Sequence, residues 1–297
     1  MMQTVVIGLG GNALLSPSGR QSAANEERNA AKVAIQIAKI AKTGRYRMII
    51  THGNGPQIGD ELARNVAGSR SVPMLPFHIM SSETEAQIGT VLELALRNRL
   101  AGNADITTVL THVLVDEHDG AFRNPTKPIG PFHDRRLHGG TYKKFPNGYR
   151  MVVPSPRPKR ILETDSIKAL SKGGIVIACG GGGIPVVKTK HGYKGVTGVI
   201  DKDATTQLLA TSVKADIMML LTNVDYVYSD YKRRSGRISA VKADVLMRNI
   251  ERFEAGTMRP KVRAGADFVR NGGNACYIGS LDKLGLILSG RSGTKIT

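Results

Sequence analysis

The chain reads as an α/β protein, a three-layer αβα sandwich around a mostly parallel central sheet, and three observations predict this. Short apolar runs of strand length recur at residues 4–8, 47–51, 107–115, 175–179, 217–221 and 275–278. Between them lie longer stretches with apolar residues three and four apart, the period of a helix with one buried face. Several of the runs end in a glycine-rich or polar turn. Open α/β sheets bind ligands in turns of that kind, at the carboxyl edge of their strands.

Residues 4–8 form a short buried strand, and Gly10-Gly11-Asn12-Ala13-Leu14 follows as a turn into a helix. Strand, glycine turn and helix N-terminus together favour an anion, because unpaired N–H groups and the helix dipole both attract negative charge. A Walker A motif is absent, since no Lys-Ser or Lys-Thr follows the glycines. Gly8-x-Gly10-x-x-Ala13 meets the looser dinucleotide pattern, but the next strand, 47–51, comes late and ends without an acid. Residues 29–42 carry Ala30, Val33, Ala34, Ile37, Ala38 and Ala41 on one helical face, and Gly44 ends the helix. Strand, helix and strand predict a right-handed parallel crossover. The second strand delivers Thr51-His52-Gly53-Asn54-Gly55-Pro56-Gln57, which places His52 in a ligand loop. A long amphipathic helix at 79–100 and a strand at 107–115 come next.

Residues 118–150 change character, being dense in Pro, Gly, His, Lys and Arg. The stretch is too long for an ordinary loop and reads as an inserted flap. Within it Lys127 stands two residues after Pro125 and directly before Pro128, a stiff setting suited to closing over an anion, or to a plain surface turn. His133 and His138 lack the further ligands of a zinc set. A helix at 163–172 leads to the strand 175–179 and then to Gly180-Gly181-Gly182-Gly183. Four glycines let the chain leave a buried strand and press its backbone against an anion. Lys202 follows between Asp201 and Asp203, as an anion ligand or as half of a structural ion pair. A helix at 204–213, a strand at 217–221 and the polar stretch 222–228 continue the alternation. A basic hairpin or loop spans 230–237, and a helix lies around 244–253. Gly256-Thr257-Met258-Arg259-Pro260-Lys261-Val262 opens a helix to 271, and 275–278 is the last clear strand. A lysine in the first helical turn opposes the dipole, so Lys261 calls for an anionic partner.

At 297 residues and 41% hydrophobic content the chain can bury a large core. No run of about 18 apolar residues is present and the start is not a signal peptide, so a soluble cytoplasmic protein is expected. Cys179 and Cys276 sit in apolar runs and read as buried structural thiols. The formal charge of +18 is scattered, with few aromatics between the basic residues, which argues against nucleic acid and for a field that steers anionic substrates.

Taken in order, Gly10 to Leu14, His52 to Gln57, Asn124-Pro125-Thr126-Lys127-Pro128-Ile129-Gly130, Val152-Val153-Pro154-Ser155-Pro156, Gly180 to Val186, Val199-Ile200-Asp201-Lys202-Asp203, Leu221-Thr222-Asn223-Val224-Asp225 and Met258 to Val262 resemble the carbamate kinases of the amino acid kinase superfamily. The resemblance runs from about residue 4 to Gly293-Thr294-Lys295-Ile296. It implies the amino acid kinase fold and reversible phosphoryl transfer between carbamoyl phosphate and ADP, giving ATP and carbamate, with Mg²⁺ carried by the nucleotide. Residues 1–212, with the flap at about 118–150, would form a carbamoyl-phosphate lobe, and 213–297 a nucleotide lobe. Lys202 and Lys261 would flank the transferring phosphoryl, Asp203 would hold both ammonium groups, and Lys127 would reach in from the flap. Gly10, Gly11, Asn12, His52, Gly53, Asn54, Gly181 and Gly182 would cradle carbamoyl phosphate. Asn223, Asp225, Tyr228, Met258 and Pro260 would lie along the nucleotide. No protein metal site, nucleic acid or membrane is implied, and a homodimer is expected. A related kinase acting on another small acid, or a non-catalytic nucleotide or anion sensor, are the alternatives.

Two positions depart from the family pattern. Arg259 replaces a glycine beside the expected nucleotide phosphates, where it would add a contact or crowd the loop. Ile88-Gly89-Thr90 lacks the tyrosine usual after Ile-Gly, which bears on packing more than on chemistry.

Overall fold

A sheet of eight strands orders the molecule. In the computed structural model, which describes residues 2–10, 22–102, 104–136, 140–230, 233 and 235–297, the strands lie side by side as Ala240–Val241, Thr294–Ile296, Ala275–Ser280, Ile217–Thr222, Gln3–Leu9, Tyr46–His52, Gly174–Ala178 and Asp105–Val109. Every neighbouring pair is parallel except Ala275–Ser280 with Thr294–Ile296. Gln3–Leu9 pairs with Ile217–Thr222, so segments 1–212 and 213–297 meet inside one sheet.

A parallel sheet must bury both faces, and alternate residues of a strand serve opposite sides. Val5, Ile7 and Leu9 pack with Val33, Ile37, Ile88, Leu92 and Leu96, from the helices Ala23–Ala41 and Phe77–Leu100. Val6, Ile49, Val176 and Met218 pack on the other side with Leu209, Ala210, Val262 and Phe268, from the helices Lys202–Ser212 and Met258–Arg270. Each such side chain contributes about 1.5–3 kcal/mol on burial. The result is the three-layer arrangement expected.

Several boundaries differ for identifiable reasons. The first helix begins at Ala23, not 29, because the Ser22 side chain accepts from the Asn25 N–H and caps it. The single strand expected at 107–115 is two, Asp105–Val109 and His112–Leu114, in different sheets. At the break the Thr111 hydroxyl donates back to the Val109 carbonyl, 2.8 Å away. His112–Leu114 pairs instead with Ile184–Thr189 and Arg160–Ile161. The hairpin Ile184–Thr189 with Gly192–Gly195 and the terminal strand Thr294–Ile296 extend the expected list.

The flap is an antiparallel sheet of Lys127–His133, Gly148–Val153 and Thr141–Phe145, so its last strand runs past residue 150. It is fastened to the body by Ile129 and Val153, which pack with Ile58, Phe77, Met80 and Val199. A Cβ built on Gly59 would lie 2.3 Å from the Gly130 Cα, so helix Gly55–Gly68 and the flap strand touch backbone to backbone.

Candidate active site

Four parallel strands that are neighbours in the sheet release the chain at one edge: Ile217–Thr222, Gln3–Leu9, Tyr46–His52 and Gly174–Ala178. The helices Lys202–Ser212 and Met258–Arg270 carry Lys202 and Lys261 in their first turns. Asp201 caps the first of them, its Oδ1 accepting from the N–H groups of Asp203 at 3.0 Å and Ala204 at 3.3 Å.

Between the two helix starts sits a charge cluster. Lys202 Nζ donates to Asp203 Oδ1 at 2.5 Å, and Lys261 Nζ donates to Asp203 Oδ2 at 2.9 Å. Lys127 Nζ, from the flap, reaches Asp201 Oδ2 at 2.9 Å. Burial by itself would raise the Asp203 pKa, but the charges of Lys202 and Lys261 overcome it and hold the carboxyl well below its usual range. Burial lowers the Lys202 pKa, as does the charge of Lys261, while Asp203 opposes both. The structure thus brings together Lys127, Lys202, Asp203 and Lys261, and adds Asp201 as the partner of the flap lysine. Three ammonium groups against two carboxylates, set at helix N-termini, suit an incoming polyanion.

The glycine turns are packed tightly. Gly10 donates to the Leu221 carbonyl at 3.0 Å, and a Cβ there would lie 2.7 Å from that oxygen. Gly11 and Asn12 lie outside the described residues. His52 is fully buried; burial lowers its pKa to about 4, the charge of Lys202 acts in the same direction, and its bond to the Gly53 carbonyl opposes them. Its Nδ1 stands 3.3 Å from that carbonyl, and its Nε2 has no partner among the described residues. Asn54 donates to Thr84 Oγ1 at 2.9 Å.

The tetraglycine turn differs from the open cradle expected. All four glycines are buried, and Gly181, Gly182 and Gly183 have φ of 67°, 92° and 84°. A Cβ on Gly181 would collide with the Asn54 side chain at 2.2 Å, and one on Gly182 with the Ile200 carbonyl at 2.4 Å. Most of the turn's N–H groups are spent internally. Gly180 donates to Glu85 Oε1 at 2.8 Å, Gly182 to the Cys179 carbonyl at 3.1 Å and Gly183 to the Gly180 carbonyl at 2.9 Å. Among the described residues the Gly181 N–H is the donor the turn leaves over.

The residues expected along a nucleotide divide into two groups. Asn223 is exposed and accepts from the Thr222 hydroxyl at 3.3 Å, and Asp225 accepts from Lys283 Nζ at 2.7 Å. Tyr228 lies in the ribbon Val227–Asp230 with Ser235–Ile238, opposite Arg237. Met258 and Pro260 stand on the first turn of the Met258–Arg270 helix. Pro260 also lines a cavity of ≈ 700 Å³ with Asp201, Ala204, Leu208 and Arg259. Arg259 turns away from the helix start: its Nε donates to the Phe253 carbonyl at 3.0 Å, its Nη2 to the Glu251 carbonyl at 2.9 Å, and its Nη1 pairs with Glu251 Oε2 at 2.6 Å. These bonds clamp Arg259 onto the preceding turn.

Glu85, Thr111, Asp201 and Lys283 carry contacts that motif reading assigned no role. For Glu85 a signal existed: it falls three residues before Ile88, on the helix face that also buries Leu92 and Leu96.

Comparison with known proteins bears on the family and the fold. The profile of the amino acid kinase family matches residues 3–280. A carbamate kinase of Pyrococcus horikoshii is 39% identical, the match covering 100% of both chains. The carbamate kinase of Giardia lamblia bound to citric acid superposes with a TM-score of 0.93 at 35% identity, covering 99% of this chain and 98% of the other. The same enzyme bound to AMP-PNP gives 0.90 at 34%, with coverage of 99% and 98%.

Proposed function

The chain belongs to the amino acid kinase family and, within it, to the carbamate kinases, and from that premise we propose that it transfers a phosphoryl group reversibly between carbamoyl phosphate and ADP, giving carbamate and ATP. The observation that carries the reading is the pair of largely buried lysines on one carboxylate, Lys202 and Lys261 on Asp203, at the starts of two helices. In the ATP-forming direction a terminal phosphate oxygen of ADP bonds to phosphorus, and the bond from phosphorus to the carbamoyl oxygen breaks. Carbamate leaves as a stable anion, so no proton need move and no general base is required.

Phosphoryl transfer asks mainly for positioning and for charge on the equatorial oxygens. Lys202 and Lys261 supply that charge from fixed places, because Asp203 holds both and is itself held ionised. Preorganised cations in a partly dry site are worth about 10²–10³ in rate each. Lys127 closes from the flap on the carbamoyl phosphate side. Gly10, Gly53, Asn54 and the Gly181 N–H receive that substrate, with His52 and Gly182 behind them in the same wall. ADP lies along Asn223, Asp225, Tyr228, Met258 and Pro260 in this reading, and use of a nucleotide is supported by the similar Giardia enzyme having been bound to AMP-PNP. Mg²⁺ would be carried by the nucleotide phosphates and would supply charge neutralisation there. Among the described residues no three His, Cys, Asp or Glu side chains gather into a metal site.

The working form in this reading is a cytoplasmic homodimer. Two buried free thiols fit a reducing compartment. Exposed Val66, Val72, Met74, Leu75 and Ile79 gather in one stretch of chain and offer an apolar contact surface. No described helix is long and apolar enough to cross a membrane. A coupled assay tests the activity: ADP, Mg²⁺ and carbamoyl phosphate should yield ATP. Consumption of ATP with a different acid and none with carbamate would move the chain to another acceptor, and binding of ADP without turnover would make it a sensor.

A further inference from the structure

Glu85 is 1% exposed on the Phe77–Leu100 helix and takes no direct part in the transfer described above. Its Oε1 accepts from the Gly180 N–H at 2.8 Å and its Oε2 from the Thr111 N–H at 3.3 Å. Thr111 Oγ1 in turn accepts from the Cys179 N–H at 2.9 Å. One carboxylate therefore ties together the chain leaving two adjacent strands, Asp105–Val109 and Gly174–Ala178. It also holds Cys179 where φ is 54°, a left-handed conformation that costs a residue with a Cβ about 1–2 kcal/mol.

The consequence reaches the one donor the turn leaves over. A trans peptide points its N–H opposite to its C=O. The Gly180 carbonyl is held by the Gly183 N–H and the Gly180 N–H by Glu85, so residue 180 is fixed on both sides. The Gly181 N–H must then point away from Gly183. Space enforces the arrangement: a Cβ on Gly180 would lie 2.4 Å from the His52 ring and 2.8 Å from Glu85 Cγ.

We propose that Glu85 is a positioning residue for carbamoyl phosphate, setting the direction of the Gly181 N–H through Gly180, and that its ionised form sets it better than its neutral form. The proposal rests on the carbamate kinase reading. An ionised carboxylate accepts at both oxygens, whereas the neutral acid turns one of them into a donor and releases an N–H. Burial pushes the Glu85 pKa up to about 8, against the pull of its bonds to Thr111 and Gly180, and the charge of Glu163 adds to the rise. Glu163 is engaged by the backbone N–H and Nδ1 of His112, both at 2.8 Å. The two other titratable groups packed directly against the turn are neutral near pH 7, since burial lowers the His52 pKa to about 4 and raises that of the Cys179 thiol. Of these three groups Glu85 is the one that changes charge in that range.

The test compares the full-length protein with Glu85→Gln, which keeps the size and one acceptor oxygen. kcat/KM for carbamoyl phosphate is measured at saturating ADP from about pH 6.5 to about pH 9.5, with KM for ADP measured in parallel. The ratio of wild type to variant should rise about threefold or more across pH 8, while the two KM values for ADP stay within about twofold. In the same samples the melting temperature of the variant should gain on wild type as pH rises from about 4.5 to about 8, because a pKa raised on folding costs stability over that window. A flat ratio, with or without the melting shift, overturns the proposal, and so does an equal change in the KM for ADP. Failure of wild type to make any ATP would overturn the carbamate kinase reading itself, whereas a flat ratio with active wild type removes only the role of Glu85.

Discussion

Lys261 Nζ meets Asp203 Oδ2 at 2.9 Å, although 58 positions separate them in sequence, and Lys202 occupies the other oxygen of the same carboxylate. Asp203 is 4% exposed, so the three groups stand or fall together as a unit. Lys202→Ala and Lys261→Ala should each abolish ATP formation, by about 10² or more in kcat, while far-UV circular dichroism stays that of the folded protein. Near-normal turnover by either variant would remove that lysine from the transfer step. Asp203→Ala should behave differently. It leaves two largely buried cations unpaired, and denaturant titration should read a loss of about 3–5 kcal/mol.

Gly59→Ala should disturb the flap without touching a charged group. The new Cβ would fall 2.3 Å from Gly130 Cα and N, both backbone atoms that can yield only if the flap strand moves. Lys127 rides on that strand. The expected outcome is a KM for carbamoyl phosphate raised about tenfold and a KM for ADP within about twofold of wild type. Equal weakening of both substrates would show that the flap does not act on one substrate alone.

His52 predicts an acid limb in stability. Burial lowers its pKa to about 4, so the folded state refuses a proton that the unfolded chain accepts below about pH 6.5. Stability is complete above that pH and falls as pH drops toward 4, by about 3 kcal/mol at most. Urea titrations at pH 7 and at about pH 4.5 should record a larger loss for wild type than for His52→Asn. The same loss in both would assign the acid limb to other groups.

Arg259→Ala should cost stability and spare turnover. Its guanidinium covers the carbonyls of Glu251 and Phe253, and its ion pair with Glu251 is mostly exposed on the carboxylate side. A loss of about 1 kcal/mol follows from the two backbone bonds, with little from the surface pair. kcat should stay within about twofold of wild type, and a large rise in the KM for ADP would mean that the arginine reaches the nucleotide after all.

The alternation of apolar runs and helical faces was enough to place a mostly parallel three-layer fold, because a sheet buried on both sides writes itself into the sequence as runs such as 175–179 and 217–221. Lys202 and Lys261 could be singled out locally, one by its flanking aspartates and the other by its place in a first helical turn. What escaped was whatever depends on a partner far along the chain. Glu85 stands out as a glutamate on the buried face of its helix, but its partner Gly180, 95 positions on, is not marked in the sequence. The strand at 107–115 looks continuous because both of its pieces are apolar, and only the pairing of His112–Leu114 with Ile184–Thr189 divides it. The tetraglycine turn was recognised as a place of close approach. Its glycines answer to collisions with Asn54, His52 and Ile200, inside the protein itself.

The position of Gln3–Leu9 between Tyr46–His52 and Ile217–Thr222 has a consequence during synthesis. As the chain leaves the ribosome this strand finds one neighbour within about fifty further residues and waits for the other until more than about two hundred have followed it. Over that interval one long edge of an apolar strand stays open, the condition under which nascent chains pair wrongly or require a chaperone. Lys261 arrives later still, so no nascent chain that stops short of it can hold the two-lysine site.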